Sequence, residues 1–174
     1  MHSCDEMKEI WELVYPDGTP SGVLYDRESG DPIPTGLCFK VCEVFVRAGD
    51  RLLLTQRHPD KWQGLKWEAS GGGVLMGESD VNAAARELRE ETGIAVSSDR
   101  LKYLGRTLHG VAMVESFLLL LTSDPLLTLD PAEVVGAKYV LPSEIDGIAR
   151  ELTGGTLERL RLYFSEIFAD KNEN

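Results

Sequence analysis

"GGGVLMGESDVNAAARELREETGI", residues Gly71 to Ile94, places Glu78, Asp80, Glu87, Glu90 and Glu91 within fourteen positions. Three glycines lead into it, and the segment from Ser79 to Thr92 is rich in Ala, Leu, Arg and Glu before it stops at Gly93. Those residue types favour a helix that a glycine closes. On such a helix Glu87, Glu90 and Glu91 stand at i, i+3 and i+4, so their carboxylates leave from one side. Ala84, Ala85 and Leu88 form a neighbouring apolar stripe that pins the helix against a sheet. Like charges at this spacing repel by about 0.2–0.5 kcal/mol per pair. Two explanations meet that cost. One is a solvated face laced with ion pairs to Arg86 and Arg89. The other is a hard divalent cation such as Mg²⁺, which takes carboxylate and water oxygens and leaves positions open for phosphate.

Upstream, "KWQGLKWEAS" carries Trp62 and Trp67 before the glycines, so a short strand runs into backbone that another group approaches closely. Before that, "LCFKVCEVFVRAGDRLLLTQR" holds two β-rich runs around Gly49-Asp50, the pattern of a hairpin. The opening "EIWELVYPDGTPSGVLYDRESGDP" alternates short apolar runs with turn signals at Pro16-Asp17-Gly18 and Gly30-Asp31-Pro32, a hairpin or two short strands. Downstream, "LKYLGRTLHG", "VAMVESFLLLL" and "GAKYVL" read as three further strands. A helix start at Pro142-Ser143-Glu144 and a closing helix in "TLERLRLYFSEIF" follow. In that last helix Leu157, Leu160, Phe164 and Ile167 form one stripe, read as packing on the chain's own sheet, with a homodimer seam as the alternative. Strands dominate the middle and helices interrupt and end the chain, so the class is α+β with a mixed sheet. No repeat, low-complexity tract or long linker divides residues 1–174, which read as one domain with residues 1–36 as an N-terminal strand or hairpin extension.

The 174 residues, 43% hydrophobic and 27% charged, suffice for one substantial core. The longest apolar run, "FLLLLT" from Phe117, is strand-sized, far short of the roughly 18 residues a membrane span needs. "MHSCDEMKEIWEL" has no basic region followed by an apolar stretch, so the expected compartment is the cytoplasm. A formal net charge of −11 argues against nucleic-acid or membrane-surface partners, both of which need a cationic footprint. An anionic small-molecule substrate then requires local reversal of that field by a divalent cation or a few Lys and Arg. Cys4, Cys38 and Cys42 form no CxxC, and His2, His58 and His109 are scattered, so neither a disulfide framework nor a zinc site is indicated.

Counted from Gly72, the chain runs five residues to Glu78, seven more, then Arg86-Glu87-Leu88-Arg89-Glu90-Glu91-Thr92-Gly93-Ile94. This resembles, at each of nine defined positions over twenty-three residues, the signature of the Nudix hydrolase family, G-x5-E-x7-R-E-U-x-E-E-x-G-U with U aliphatic. The resemblance implies an α/β/α sandwich with a mixed sheet, in which residues 72–94 form a loop, a helix and a loop. It implies hydrolysis of a diphosphate in a nucleoside diphosphate linked to another group, with Mg²⁺ or Mn²⁺. On the matching positions Glu87, Glu90 and Glu91 would be metal ligands, and the Gly72 carbonyl a further one. Glu78, Arg86 and Gly93 would brace the loop and helix. Metals in such a site clamp phosphate oxygens and lower the pKa of the attacking water. The family places its general base differently among members: Glu87, Glu91 or a carboxylate from a later loop. Glu115, in "MVESFLLL", is the first downstream candidate for an extra ligand or base, against an outward glutamate on a half-buried strand. Glu133 is the second.

The order "EIWELVYPDGTPSG", "GLCFKVCEVFV", "RLLLTQR" and "KWQGLKWEASGGGVLMGES" is also similar, over about Glu9 to Ile145, to the branch that includes isopentenyl diphosphate isomerases and hydrolase-like relatives. Isomerisation needs a cysteine just before the box and nearby metal-binding histidines. Gly71 and Phe39 stand where those would be. Hydrolysis is therefore expected, with isomerisation as the alternative and a non-catalytic nucleotide-sensing module as a third reading that the intact glutamates disfavour. Arg57 and Lys66 are the phosphate-binding candidates, with Lys40, Lys61 and Arg89 behind them. Trp62, Trp67 or Tyr25 could stack on a base, although a tryptophan beside a glycine loop is more often core.

Overall fold

In the computed structural model, which describes residues 9–169, the opening segment is a hairpin. Its strands β1 (Ile10–Val14) and β2 (Pro20–Asp26) pair antiparallel across the Pro16-Asp17-Gly18 turn. His2 and Cys4 lie outside the described residues. The second hairpin joins β3 (Phe39–Ala48) to β4 (Arg51–Arg57) at Gly49-Asp50. Two short strands, β5 (Trp67–Glu68) and β6 (Ser70–Gly73), then lead to helix α1 (Asp80–Thr92). Strands β7 (Lys102–His109), β8 (Ala112–Leu121) and β9 (Val134–Val140) follow, and helices α2 (Gly154–Leu162) and α3 (Phe164–Ile167) close the described chain.

The main sheet runs β5-β4-β3-β8-β7, with β6 also against β3 and β9 against β4. β3 and β8 pair in parallel along their whole length, from Phe39↔Ala112 to Ala48↔Leu121, and the other pairs are antiparallel, so the sheet is mixed. Period-two alternation sends Val44, Val46, Phe117 and Leu119 to one face, where they pack on Ala83, Ala84 and Leu88 of α1. Phe45 and Leu118 go to the other, against Leu160 and Ile167 of α2 and α3. Helices cover both faces, which makes the α/β/α sandwich and explains why β3 and β8 are nearly continuous apolar runs. No helix among the described residues is long and apolar enough to cross a membrane.

Local chemistry sets the ends of α1. The Ser79 hydroxyl accepts a hydrogen bond from the Asn82 N–H, and Gly93 sits at φ 76° with its N–H on the Arg89 carbonyl. Two expectations about the C-terminal third are corrected. Pro142–Glu144 forms only a short 3₁₀ turn. The chain beyond it cannot stay helical because the backbone at Glu151 and Thr153 pairs with that of Trp67 in β5. The closing helix breaks at Tyr163, φ −102° and ψ 17°. That break turns Phe164 out to solvent and puts the Tyr163 ring in the core beside Leu160 and Ile167.

Candidate active site

β6 lies antiparallel to β3, with Gly71 opposite Glu43, Gly72 opposite Cys42 and Gly73 opposite Val41. A Cβ on Gly71 would strike the Cys42 carbonyl, and one on Gly72 would strike the Glu87 carboxylate. At Gly71 only hydrogen fits beside the neighbouring backbone, and at Gly72 the missing side chain lets α1 lay Glu87 directly over the strand. Arg86 fixes that approach. Its Nε and Nη2 donate to the two oxygens of Glu78, each at 2.9 Å, and Nη2 also donates to the Gly73 carbonyl at 2.9 Å. Its Nη1 donates to Glu87 at 2.7 Å and to Glu90 at 3.1 Å. Glu78 in turn accepts from the Leu75 N–H at 3.3 Å. One guanidinium fork thus ties loop, strand and helix together.

Glu91, a turn further on, is 3% exposed and accepts one hydrogen bond from the Gly71 N–H, at 3.3 Å. Burial first, then the charges of Glu68 and Glu87, push its carboxyl up to about 8, against a smaller pull from Lys61. Burial also raises Glu87 and Glu68, although each has an arginine partner. Glu90 is half-exposed beyond Arg86. Among the described residues no three His, Cys, Asp or Glu side chains already converge as a metal cage, because Arg86 engages Glu87 and Glu90. The donor set nevertheless suits a hard divalent cation. It offers oxygen donors only, including buried carboxylates whose mutual repulsion a cation would relieve, beside backbone held open by glycine.

Of the sequence-predicted phosphate ligands, Arg57 lies at this cluster: its Nη1 donates to Glu68 at 2.6 Å and its Nε to the Trp62 carbonyl at 2.8 Å. Lys66 does not, since its Nζ is on the Arg150 carbonyl. Lys61 takes that place, close enough to Glu91, Glu68 and Arg57 for their charges to act on it, with an ion pair to Glu133. The N-terminal hairpin reaches the same margin. Arg27, ion-paired with Glu9, acts on Lys61, and Glu9 acts on Glu87. Glu68 was missed by sequence reasoning; its signal is the acid that directly follows Trp67 and precedes the glycines.

Glu115 stands elsewhere. It is 1% exposed, neither outward nor free, and accepts from Arg106 Nε at 2.7 Å and the Tyr103 hydroxyl at 2.8 Å. The register Glu115↔Cys42↔Gly72 puts it two strands from Gly72. With Tyr103, Arg106, Ser79 and Asp80 it lines a cavity of about 360 Å³ to which none of Glu87, Glu90 and Glu91 contributes. Cys42, on the strand between, is buried with its thiol on the Gly72 carbonyl at 3.5 Å, and burial pushes it up to about 12. Phe39 stacks on Trp11 at 4.7 Å.

The NUDIX domain family model matches residues 39–160, from the first residue of β3 into α2. The chain is 30% identical over 150 residues to Uncharacterized Nudix hydrolase lmo0368 of Listeria monocytogenes, covering 80% of this chain and 84% of that one. Three other curated relatives are matched over only 22%, 56% and 37% of their own lengths. The crystal structure of DR0079 from Deinococcus radiodurans superposes with a TM-score of 0.74 at 22% identity, over 88% of this chain and 98% of that chain. A bifunctional NMN adenylyltransferase/ADP ribose pyrophosphatase from Francisella tularensis, complexed with AMP and Mn ion, superposes with a TM-score of 0.64 at 20% identity, over 79% and 43%. Likeness at such identity shows the shared fold. Together with the matched residues, which carry both the glycine strand and the helix of glutamates, it places this chain in the Nudix hydrolase family.

Proposed function

We propose that the protein is a divalent-cation-dependent hydrolase that cleaves a phosphoanhydride bond in a nucleoside diphosphate linked to another group, with Mg²⁺ or Mn²⁺ as the cation. The observation that carries this reading is Glu91, buried beside Glu87 and Glu68 against the glycine strand, with Lys61 and Arg57 at the margin. Such a centre is short of positive charge within and supplied with it at the edge, which suits a cation and the phosphates it neutralises. The Mn ion of the Francisella neighbour supports the cation class.

Glu87, Glu90 and Glu91, with the Gly72 carbonyl, would hold the cation. When bound, it supplies charge neutralisation at the phosphates and a lowered pKa for the attacking water. The chain supplies the rest. Arg86, through its paired contact with Glu78, would keep the loop in place beside Glu87 and Glu90. Arg57 pairs with Glu68 beside the cluster and opposes the rise that burial imposes on that carboxyl, and Lys61 lies where a phosphate oxygen needs a cation. The water's proton is assigned to Glu87 or Glu91, because Arg106 and Tyr103 occupy both oxygens of Glu115. Isomerisation would need a thiol at the position of Gly71, where a Cβ would strike the Cys42 carbonyl, and Cys42 itself is fully buried.

Glu87→Gln and Glu91→Gln should each lose orders of magnitude in turnover with an unchanged far-UV spectrum; near-normal turnover in both would overturn the assignment. The substrate is found with a panel of nucleoside diphosphate sugars, dinucleoside polyphosphates, NADH, coenzyme A and nucleoside triphosphates, with products identified by mass. A flat panel with both metals would favour a nucleotide-sensing module, and allylic product from isopentenyl diphosphate would favour the isomerase.

A further inference from the structure

The connection between β4 and β5, residues 58–66, is built unlike the other loops. It holds Gln63 at φ 55° and Leu65 at φ 65°, the only non-glycine residues with positive φ among those described. Side chains rarely adopt that conformation, and it persists where surrounding contacts impose it. The contacts here are the Arg57 Nε on the Trp62 carbonyl at 2.8 Å and the Leu65 N–H on the Arg57 carbonyl at 3.1 Å. The Lys61 N–H adds a third, on the His58 carbonyl at 3.1 Å. Arg57 itself is anchored on Glu68, so the loop is braced from the catalytic cluster outward.

What the loop presents is a pair of consecutive residues with opposite characters. Lys61 reaches inward to the charges around Glu91. Trp62 is 72% exposed. The other two tryptophans are occupied: Trp11 stacks on Phe39, and the Lys138 ammonium lies 4.2 Å from the Trp67 ring centroid. Among the described residues, no ring, cation or hydrogen-bond partner meets the Trp62 indole. A large apolar ring left open on a braced loop, one residue from a cation of the active site, is placed for a flat ligand group.

We propose that Trp62 is a specificity-determining residue whose indole stacks on the nucleobase of the substrate while Lys61 and Arg57 face its diphosphate. This rests on the hydrolase reading above and names the base-bearing half of the substrate as what the loop selects. Base stacking of this kind tolerates any base, because every base has a π face.

The test compares binding of AMP, CMP, GMP and UMP with binding of ribose 5-phosphate, which lacks only the base, to the full chain with Mg²⁺ by calorimetry. The wild type should bind at least one nucleotide about tenfold or more tightly than ribose 5-phosphate. Trp62→Ala should erase that difference and leave ribose 5-phosphate binding unchanged, whereas Trp62→Phe should keep most of it. Nucleotide should also quench the wild type's exposed tryptophan emission, and the quenching should vanish in Trp62→Phe. Equal nucleotide affinity in wild type and Trp62→Ala would overturn the proposal, even if every hydrolase prediction held. So would a wild-type dimer, seen by light scattering, that Trp62→Ala dissociates without changing nucleotide binding, since the ring would then serve a second copy. Because binding is read without turnover, an inactive but nucleotide-selective protein would sink the hydrolase reading and leave this one standing.

Discussion

Glu91 and Gly72 show how far single atoms decide this site. A methyl group on Gly72 would meet the far end of the flexible Glu87 side chain, not backbone, so the fold can yield but the carboxylate must move. Gly72→Ala should therefore cost less than about 1 kcal/mol in stability, as surface-like adjustments do, yet lower turnover at least tenfold; unchanged turnover would mean that Glu87 does not act where it lies. Glu91 gives a pH signature. Its carboxyl is held near 8, above the ordinary value of 4.5, so between those limits the folded, metal-free chain keeps a proton that the unfolded chain has released. Stability must then fall as pH rises through that window. Glu91→Gln removes this one titration. In chelator, urea unfolding of variant and wild type should differ little near pH 4.5, and at pH 8.5 the variant should be more stable by on the order of a few kcal/mol. Equal midpoints at pH 8.5 would show that the buried carboxylate costs nothing. Glu115 is the control at this scale: Glu115→Gln removes a buried anion from Arg106 and should destabilise the chain while leaving turnover within a few-fold, whereas a loss as deep as that of Glu91→Gln would return it to the catalytic set.

At the scale of elements, α1 was legible because its determinants are local: Ser79 and Gly93 cap it, and Ala84 and Leu88 mark its buried side. The β3–β4 hairpin was legible for the same reason, with Gly49-Asp50 between two β-rich runs. What escaped is what distant backbone decides. The helix expected after Pro142 gives way because Trp67 recruits the backbone at Glu151 and Thr153. Lys61 and Lys66 look alike in sequence, and only the left-handed path through Gln63 and Leu65 sends one inward and the other to Arg150. Glu68 reads as a solvated acid until β5 joins β4 and Arg57 closes on it. Arg86 is the element-level hinge of the site: among the described residues its hydrogen-bond partners, Gly73, Glu78, Glu87 and Glu90, all lie within residues 72–94. Arg86→Ala should cost about 2–3 kcal/mol, below the 3–5 kcal/mol of a fully buried pair because this one is partly solvated. An unfolding midpoint within 0.5 kcal/mol of wild type, on the usual ~0.5 kcal/mol scale of surface changes, would show that the helix and loop dock without it.

Across the whole molecule, the two faces of the sheet divide the work, and a buried charge network joins them at the level of the glycine strand. Glu43, opposite Gly71 in register, turns to the face away from α1. There it accepts from Arg159 Nε at 2.5 Å, Arg159 Nη2 at 2.8 Å and the Ser116 hydroxyl at 2.8 Å. Arg159 belongs to α2, so this pair pins the second helical layer to the strand that backs the site. Every member is buried, and removal of one partner strands the other in a dry environment. Arg159→Ala should therefore cost about 3–5 kcal/mol, whereas the double variant Glu43→Gln with Arg159→Met should recover much of it, because a neutral pair leaves no unpaired charge in the interior. Turnover per folded molecule, measured well below the melting temperature, should stay within about twofold in the double variant if the α2 face only supports the sheet. A selective loss of turnover in a double variant that is as stable as wild type would mean that the Glu43 charge, one strand behind Gly71, belongs to the electrostatics of the site itself.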